Sequence, residues 1–285
     1  MADFNLTINP AQAEFILKPG AALLQAYDII NNSENTLYLT TSVEPWQPSG
    51  SSGNLSYFNV PSNDNLHFSL NNADLNLGQT FALQPHQKRQ LVLKIKPDSQ
   101  ILEKDYYYTF FVSQAPANQP NLDSNQTRTS AKIGSHLLLS LSQTENLPVR
   151  AEITDFTVSP KIKDCFLTPI NFSALIKNQT PNFFKTEGRI TVFKNNKEIA
   201  RLDLSPQNVL GQHSRSILCS PATACILKPP FWPGAYTASI SLSATDSAKP
   251  LTSTFYIFPF SLLLSLIPLL LLFVILINKK SKKQN

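Results

Sequence analysis

The sequence predicts an all-β protein: two tandem β-sandwiches followed by one C-terminal transmembrane helix. Three observations carry that reading. Short alternating or apolar runs, bounded by Pro, Asn, Ser and Gly, fill the chain up to about residue 254 with almost no helical periodicity. Proline is plentiful at 21 and glycine scarce at 8, which suits extended strands joined by proline-bearing turns. From Phe255 to Ile277 no residue is charged, and Lys279, Lys280, Lys282 and Lys283 follow at once.

The first half, residues 1–146, holds eight candidate strands: Phe4–Ile8, Glu14–Leu17, Leu23–Ile30, Leu37–Val43, Thr80–Leu83, Arg89–Ile95, Tyr106–Val112 and His136–Leu141. Alternation is clearest in Leu91-Val92-Leu93-Lys94-Ile95, where the odd positions face a core. Pro48–Ala73 reads as a long polar connection with Phe58 and Phe68 packing back, and Ala115–Arg128 as a second, exposed one. Around Gln143–Pro148 the apolar pattern breaks. A new β series occupies residues 147–254: from Ala151 to Phe156, then Ile170–Lys177, Thr186–Lys194, Glu198–Leu204, Arg215–Cys219 and Ala235–Leu242. Thr252–Ile257 reads as a last strand running into the apolar stretch.

The halves rhyme. Leu17-Lys18-Pro19-Gly20 leading to Tyr27-Asp28-Ile29-Ile30-Asn31-Asn32-Ser33 parallels Leu167-Thr168-Pro169 leading to Leu175-Ile176-Lys177-Asn178-Gln179-Thr180. Each half also closes on a Tyr-led strand, at Tyr106 and at Tyr236. A tyrosine ahead of a late strand is either a tyrosine corner of an immunoglobulin-like sandwich, its hydroxyl tying down a loop, or an aromatic that merely packs. Two tandem immunoglobulin-like domains is the architecture expected.

The terminal stretch sets the expected location. As a helix, Phe255–Ile277 reaches about 34 Å, enough to cross a hydrocarbon core of roughly 30 Å. The lysines beyond it, in a basic tail at 278–285, belong on the cytoplasmic side. The expectation is a single-pass plasma-membrane protein with the lipid bilayer as a partner and its bulk outside the cell. Met1-Ala2-Asp3-Phe4-Asn5-Leu6 has neither the basic nor the apolar region of a signal peptide. The alternative reading takes that start at face value: a cytosol-facing, tail-anchored adaptor with a major-sperm-protein-like sandwich.

Composition removes several function classes. The net charge is +5, and the four terminal lysines supply most of it, so there is no nucleic-acid footprint on the β region. His67, His86, His136 and His213 are scattered, and no nucleophile elbow, phosphate-cradling glycine loop or zinc-protease motif occurs. The expectation is therefore no enzyme, no cofactor and no metal. Cys219 and Cys225 flank a short Ser-Pro-Ala-Thr-Ala loop; they either close a disulfide in an oxidising compartment or are unrelated thiols, with Cys165 left over. Asn-x-Ser/Thr sequons at Asn5, Asn31, Asn54, Asn125, Asn171 and Asn178 permit glycosylation without arguing for it. Trp46, beside the long polar loop, either stacks on a sugar ring or packs in the core or the loop. Trp232, ahead of a Pro-Gly turn, reads as a loop anchor.

The first half resembles the N-terminal domain of WxL-interacting proteins. The residues that carry the likeness are Phe15-x-Leu17-x-Pro19-Gly20, Asn31-Asn32-Ser33, Val43-Glu44-Pro45-Trp46, Phe81-x-Leu83-x-Pro85 and Leu91-x-Leu93-x-Ile95-x-Pro97. The second half resembles that family's C-terminal domain through Thr186-Glu187-Gly188-Arg189-Ile190-Thr191-Val192, Asn208-Val209-Leu210 and Pro233-Gly234-x-Tyr236-x-Ala238. The resemblance implies a bacterial cell-surface protein whose first domain binds peptidoglycan and whose second engages a surface or host partner. It assigns no ligand-contacting residue.

Overall fold

The computed structural model describes residues 4–58, 65–115, 131–144, 147–228, 231–243 and 249–281. The chain divides into two compact units, Met1–Pro148 and Val149–Asn285.

Unit 1 is built from β1 (Leu6–Asn9), β2 (Gln12–Leu17), β3 (Leu23–Asn31), β4 (Leu37–Ser49), β5 (Asn54–Tyr57), β6 (Leu66–Leu70), β7 (Phe81–Leu83), β8 (Lys88–Pro97), β9 (Asp105–Gln114) and β10 (Lys132–Leu141). One sheet runs β1-β3-β8-β6, and the larger runs β2-β10-β9-β4-β5 with β7 on β4. Pro10 divides β1 from β2. A residue without an N–H cannot continue the ladder, and the chain crosses there from an antiparallel pairing with β3 to a parallel one with β10. Leu91, Leu93 and Ile95 are fully buried between the sheets, where Tyr27 stacks on Phe110 at 4.8 Å. The polar stretch Pro48–Ala73 is not one long connection. β4 carries on to Ser49 and turns back as β5, with the Pro45 carbonyl accepting the Phe58 N–H at 3.3 Å. Leu66, Phe68 and Leu70 alternate inward as the edge strand β6. Nearly all of the expected exposed connection at 115–128 lies outside the described residues.

Unit 2 repeats the plan with β11 (Ala151–Ser159), β12 (Ile162–Asp164), β13 (Ile170–Asn178), β14 (Phe184–Lys185), β15 (Gly188–Lys194), β16 (Lys197–Asp203), β17 (Asn208–Val209), β18 (Ser214–Ser216), β19 (Cys225–Leu227), β20 (Gly234–Leu242) and β21 (Leu251–Phe258). Its larger sheet runs β12-β21-β20-β15-β16, and β13 joins β11 to both β18 and β19 in the other. Pro160 marks the crossing between sheets, and β12 pairs parallel with β21 as β2 does with β10. Where unit 1 has the continuous β8, unit 2 has two short pieces separated by a loop that Cys219 and Cys225 close as a disulfide. The loop also ties the two sheets together at their side, since Ser205 N–H donates to the Leu218 carbonyl and Ser220 N–H to that of Asp203.

The end of the chain corrects the fold class expected from sequence. Phe255 is not the start of a helix. The period-2 alternation continues through Phe258, placing Phe255 and Ile257 in the core and Tyr256 and Phe258 outside. Burying one such side chain is worth about 2 kcal/mol, which favours the sheet, and an unbroken apolar run does not by itself distinguish strand from helix. Helix α1 (Phe260–Ser281) follows Pro259, and its described side chains are those of 260–268, 271–273 and 275. Among the described residues no helix is long and apolar enough to cross a membrane. The transmembrane helix over Phe255–Ile277, the single-pass plasma-membrane location with its outward bulk and cytoplasmic tail, and the bilayer partner are therefore not supported. Lys279 and Lys280 fall within α1; Lys282 and Lys283 lie outside the described residues. Asp164 fastens the start of α1 to unit 2. Its carboxylate accepts the Ser261 N–H at 2.7 Å and hydroxyl at 2.9 Å, besides the N–H groups of Phe166 and Leu167. These donors, Phe166 first, hold the carboxyl below its ordinary range.

Candidate functional site

Strand periodicity divides the aromatic strand β9 between two environments. Tyr106, Tyr108, Phe110 and Val112 enter the core of unit 1, while Tyr107, Thr109 and Phe111 lie on the opposite face of the larger sheet. Register then assembles that face. Thr109 sits between His136 on β10 and Glu44 on β4, Phe111 lies opposite Gly134, and Trp46 lies opposite Tyr57. Gly134 is required by close approach: a Cβ there would lie 2.5 Å from Thr109 Cγ2 and 2.8 Å from the Phe111 ring.

Two layers result. The lower is locked. Thr109, fully buried, shares hydrogen bonds with His136 Nδ1 at 2.9 Å and the Tyr57 hydroxyl at 3.2 Å. Burial holds His136 below the ordinary imidazole range, favouring the neutral ring. Asp105 accepts from the Tyr107 hydroxyl at 2.7 Å and the Ser140 hydroxyl at 2.6 Å. The upper layer meets solvent at Tyr57, Glu44 and Lys132, while Phe111 beneath them is only 6% exposed. Tyr57 is 40% exposed, and Lys132 lies 4.0 Å from the centroid of Phe111 while pairing with Glu44 at 3.0 Å. A hydroxyl as buried as that of Thr109 is not available to attack a substrate. Among the described residues no cluster of His, Cys, Asp and Glu is set to hold a metal.

Trp46 belongs to the locked layer. It is 5% exposed, donates Nε1–H to the Tyr108 carbonyl at 2.8 Å, stacks on Tyr107 at 4.9 Å and meets His136 edge-on at 5.8 Å. No ring face is left for a sugar, so Trp46 packs. Trp232 is the reverse case, 80% exposed, with its carbonyl accepting the Tyr236 hydroxyl. Tyr106 makes the matching bond to the Leu102 carbonyl at 3.2 Å, so each unit has a tyrosine corner. Cys219 and Cys225 are joined, while Cys165 is a buried free thiol that burial pushes upward.

Two of the sequons serve the fold. Asn31 and Asn178, both fully buried, end β3 and β13 in the same clamp. The Asn31 amide donates to the carbonyls of Asn35, Leu83 and Gln84 and accepts from the Ser33 N–H and hydroxyl. Asn178 donates to Asn182 and Val209 and accepts from the Thr180 N–H and hydroxyl. Neither amide is open to modification. Asn5, Asn54 and Asn171 are exposed, and Asn125 lies outside the described residues.

Sequence reasoning missed Glu44, Tyr57, Phe111 and Lys132 as a group, because 88 residues separate Glu44 from Lys132. The one local signal was Gly134 inside a strand, a usual mark of close packing across a sheet.

No protein-family model matches the chain, and no curated protein does. Among solved structures, the chain is similar to the class 5 fimbriae chaperone CfaA, at 13% identity over 90% of this chain and 100% of that one, with a TM-score of 0.43. It is also similar to the E. coli chaperone DraB, at 11% identity over 89% and 97% of the two chains with a TM-score of 0.39. A PapD-like domain of human CEP192 aligns at 12% identity over 49% of this chain and 87% of that one, with a TM-score of 0.31. These are distant likenesses, and none assigns a function.

Proposed function

We propose that this chain is a non-enzymatic binding protein and that the outer face of the larger sheet of unit 1 is its contact surface, docking another surface protein or a cell-wall polymer. The observation that carries the reading is the layered face itself. Tyr57 offers an exposed ring, and Glu44 and Lys132 an ion pair, over the buried Phe111 and a network that is buried and hydrogen-bonded. Rigid aromatic anchors of this kind dominate recognition because little side-chain entropy is lost on contact. The resemblance to WxL-interacting proteins supports peptidoglycan as the first polymer to try.

The test is retention of the full chain on insoluble peptidoglycan and, separately, on immobilised surface-protein extract, with Tyr57→Ala and Glu44→Ala beside the wild type. Retention of the wild type that falls at least about tenfold in both variants, roughly 1.4 kcal/mol each, supports the face. Retention unaffected by either substitution, or no retention on either material, rejects it.

A further inference from the structure

The upper layer of the face has the form of a cage with a charge already inside. Lys132 Nζ lies 4.0 Å from the Phe111 centroid and 5.7 Å from that of Tyr57. It is 3.0 Å from Glu44 Oε2 and 3.2 Å from Oε1. The two rings stand 5.4 Å apart and tilted by 54°. Ring faces carry negative potential, so both attract a cation within about 6 Å. Two ring faces and a carboxylate converging on one point are complementary to an ammonium ion, as they would not be to an anion or a neutral group.

The parts of the cage are held independently of the lysine. Phe111 is fixed by its close approach to Gly134, Tyr57 by its hydroxyl on Thr109, and the Glu44 carboxylate by the Ser42 hydroxyl at 3.3 Å. Lys132 by contrast is anchored through its head group, and its side chain is 45% exposed. Rotation about its own stem carries the ammonium into water without moving the backbone.

We infer that Tyr57, Phe111 and Glu44 form an ammonium-binding cage, filled here by the chain's own Lys132, and that the natural occupant is a lysine side chain of a protein partner. The inference rests on the binding-face reading above and names the group that this face takes. A lysine fits because the cage already takes the ammonium of Lys132, over Phe111 and against Glu44. Lys132 acts as an internal competitor whose effective concentration is in the millimolar range, as for any tethered ligand. A free ammonium therefore binds the wild type weakly. If Lys132 fills the cage about nine-tenths of the time, its removal strengthens binding of an external lysine about tenfold.

The experiment uses the full chain with Lys132→Gln, and Lys132→Met as a second variant that keeps an unbranched, uncharged stem over Phe111. Quenched, buried-type fluorescence of Trp46 establishes that each is folded. Nα-acetyl-lysine N-methylamide is titrated in, and its norleucine counterpart, which lacks the ammonium, serves as control; the readout is the ring-proton shifts of Tyr57 and Phe111. Saturable shifts with the lysine compound alone, about tenfold tighter in both variants than in wild type and lost when Glu44→Gln is added, support the cage. Equal shifts from the norleucine compound, no saturable shift in either variant, or no change on adding Glu44→Gln overturns it. Wild-type retention on surface protein or peptidoglycan is scored separately, so loss of the cage alone leaves the binding-face reading standing, and loss of retention alone removes it.

Discussion

Replacing Asn31 by alanine is expected to destabilise unit 1 by about 4 kcal/mol. The amide is fully buried and every polar atom on it is engaged. Its two hydrogens are shared among the carbonyls of Asn35 at 2.8 Å, Leu83 at 3.0 Å and Gln84 at 3.0 Å. Its oxygen accepts the Ser33 N–H at 3.0 Å and hydroxyl at 2.7 Å. Counting two donated hydrogens and two accepted bonds at about 1 kcal/mol each gives about 4 kcal/mol. The Ser33 hydroxyl keeps its bond to the Asn35 carbonyl, which limits the loss. With a urea m-value of about 2 kcal/mol/M, the unfolding midpoint drops by about 2 M. Tryptophan fluorescence isolates the event: Trp46 is 5% exposed in the folded unit, whereas Trp232 is already 80% exposed and changes little. Asn32→Ala is the control, because Asn32 is exposed and bonds only at the surface, to Thr7 and Asn5. A drop of less than about 0.5 M for Asn31→Ala, or an equal drop for the control, would refute the clamp; about 0.5 M corresponds to about 1 kcal/mol, the net worth of a single hydrogen bond.

Four further outcomes are expected. His136 is held below its ordinary value by burial, so the unfolded chain binds that proton more readily. Its contribution to stability is intact above about pH 6.5 and is withdrawn as the pH falls below that value; thermal melts of unit 1 should show this slope, and His136→Gln should flatten it. Replacing Cys219 and Cys225 by alanine opens a loop of sequence separation 6 and should lower the stability of unit 2 by about 2 kcal/mol. Thiol labelling of the unreduced wild type should find one group, Cys165, and only after unfolding. Gly134→Ala forces a methyl group against Thr109 and Phe111 and should cost about 1–3 kcal/mol in chemical denaturation, with a weakened Lys132 contact visible as a shifted Phe111 ring signal.

Much of the framework was legible along the chain. The odd positions of Leu91–Ile95 face the core because a strand's side chains alternate whatever its partners are, and Leu91, Leu93 and Ile95 are fully buried. The likeness between Asn31-Asn32-Ser33 and Asn178-Gln179-Thr180 was visible too, although its meaning was not. A sequon and a buried clamp have the same letters, and only the carbonyls of Leu83 and Gln84, more than 50 residues away, separate them. Trp46 was open between stacking on a ligand and packing until Tyr107 and His136 were seen to cover its ring.

Local regularity was thus in the sequence: where the long strands lie, though not short ones such as β5, β6 and β12, which residues alternate inward, and that the second half rhymes with the first. These follow from the geometry of a single strand and from turn chemistry, both short-range. The sequence left Phe255 both in a last strand and at the start of a helix; tertiary structure placed it inside the strand, against Phe172 and Tyr236, with the helix beginning only after Pro259. It also decided that Glu44, Tyr57, Phe111 and Lys132 meet on one face. Register between strands distant in sequence is set by the core they jointly bury, and no window of neighbouring residues contains it.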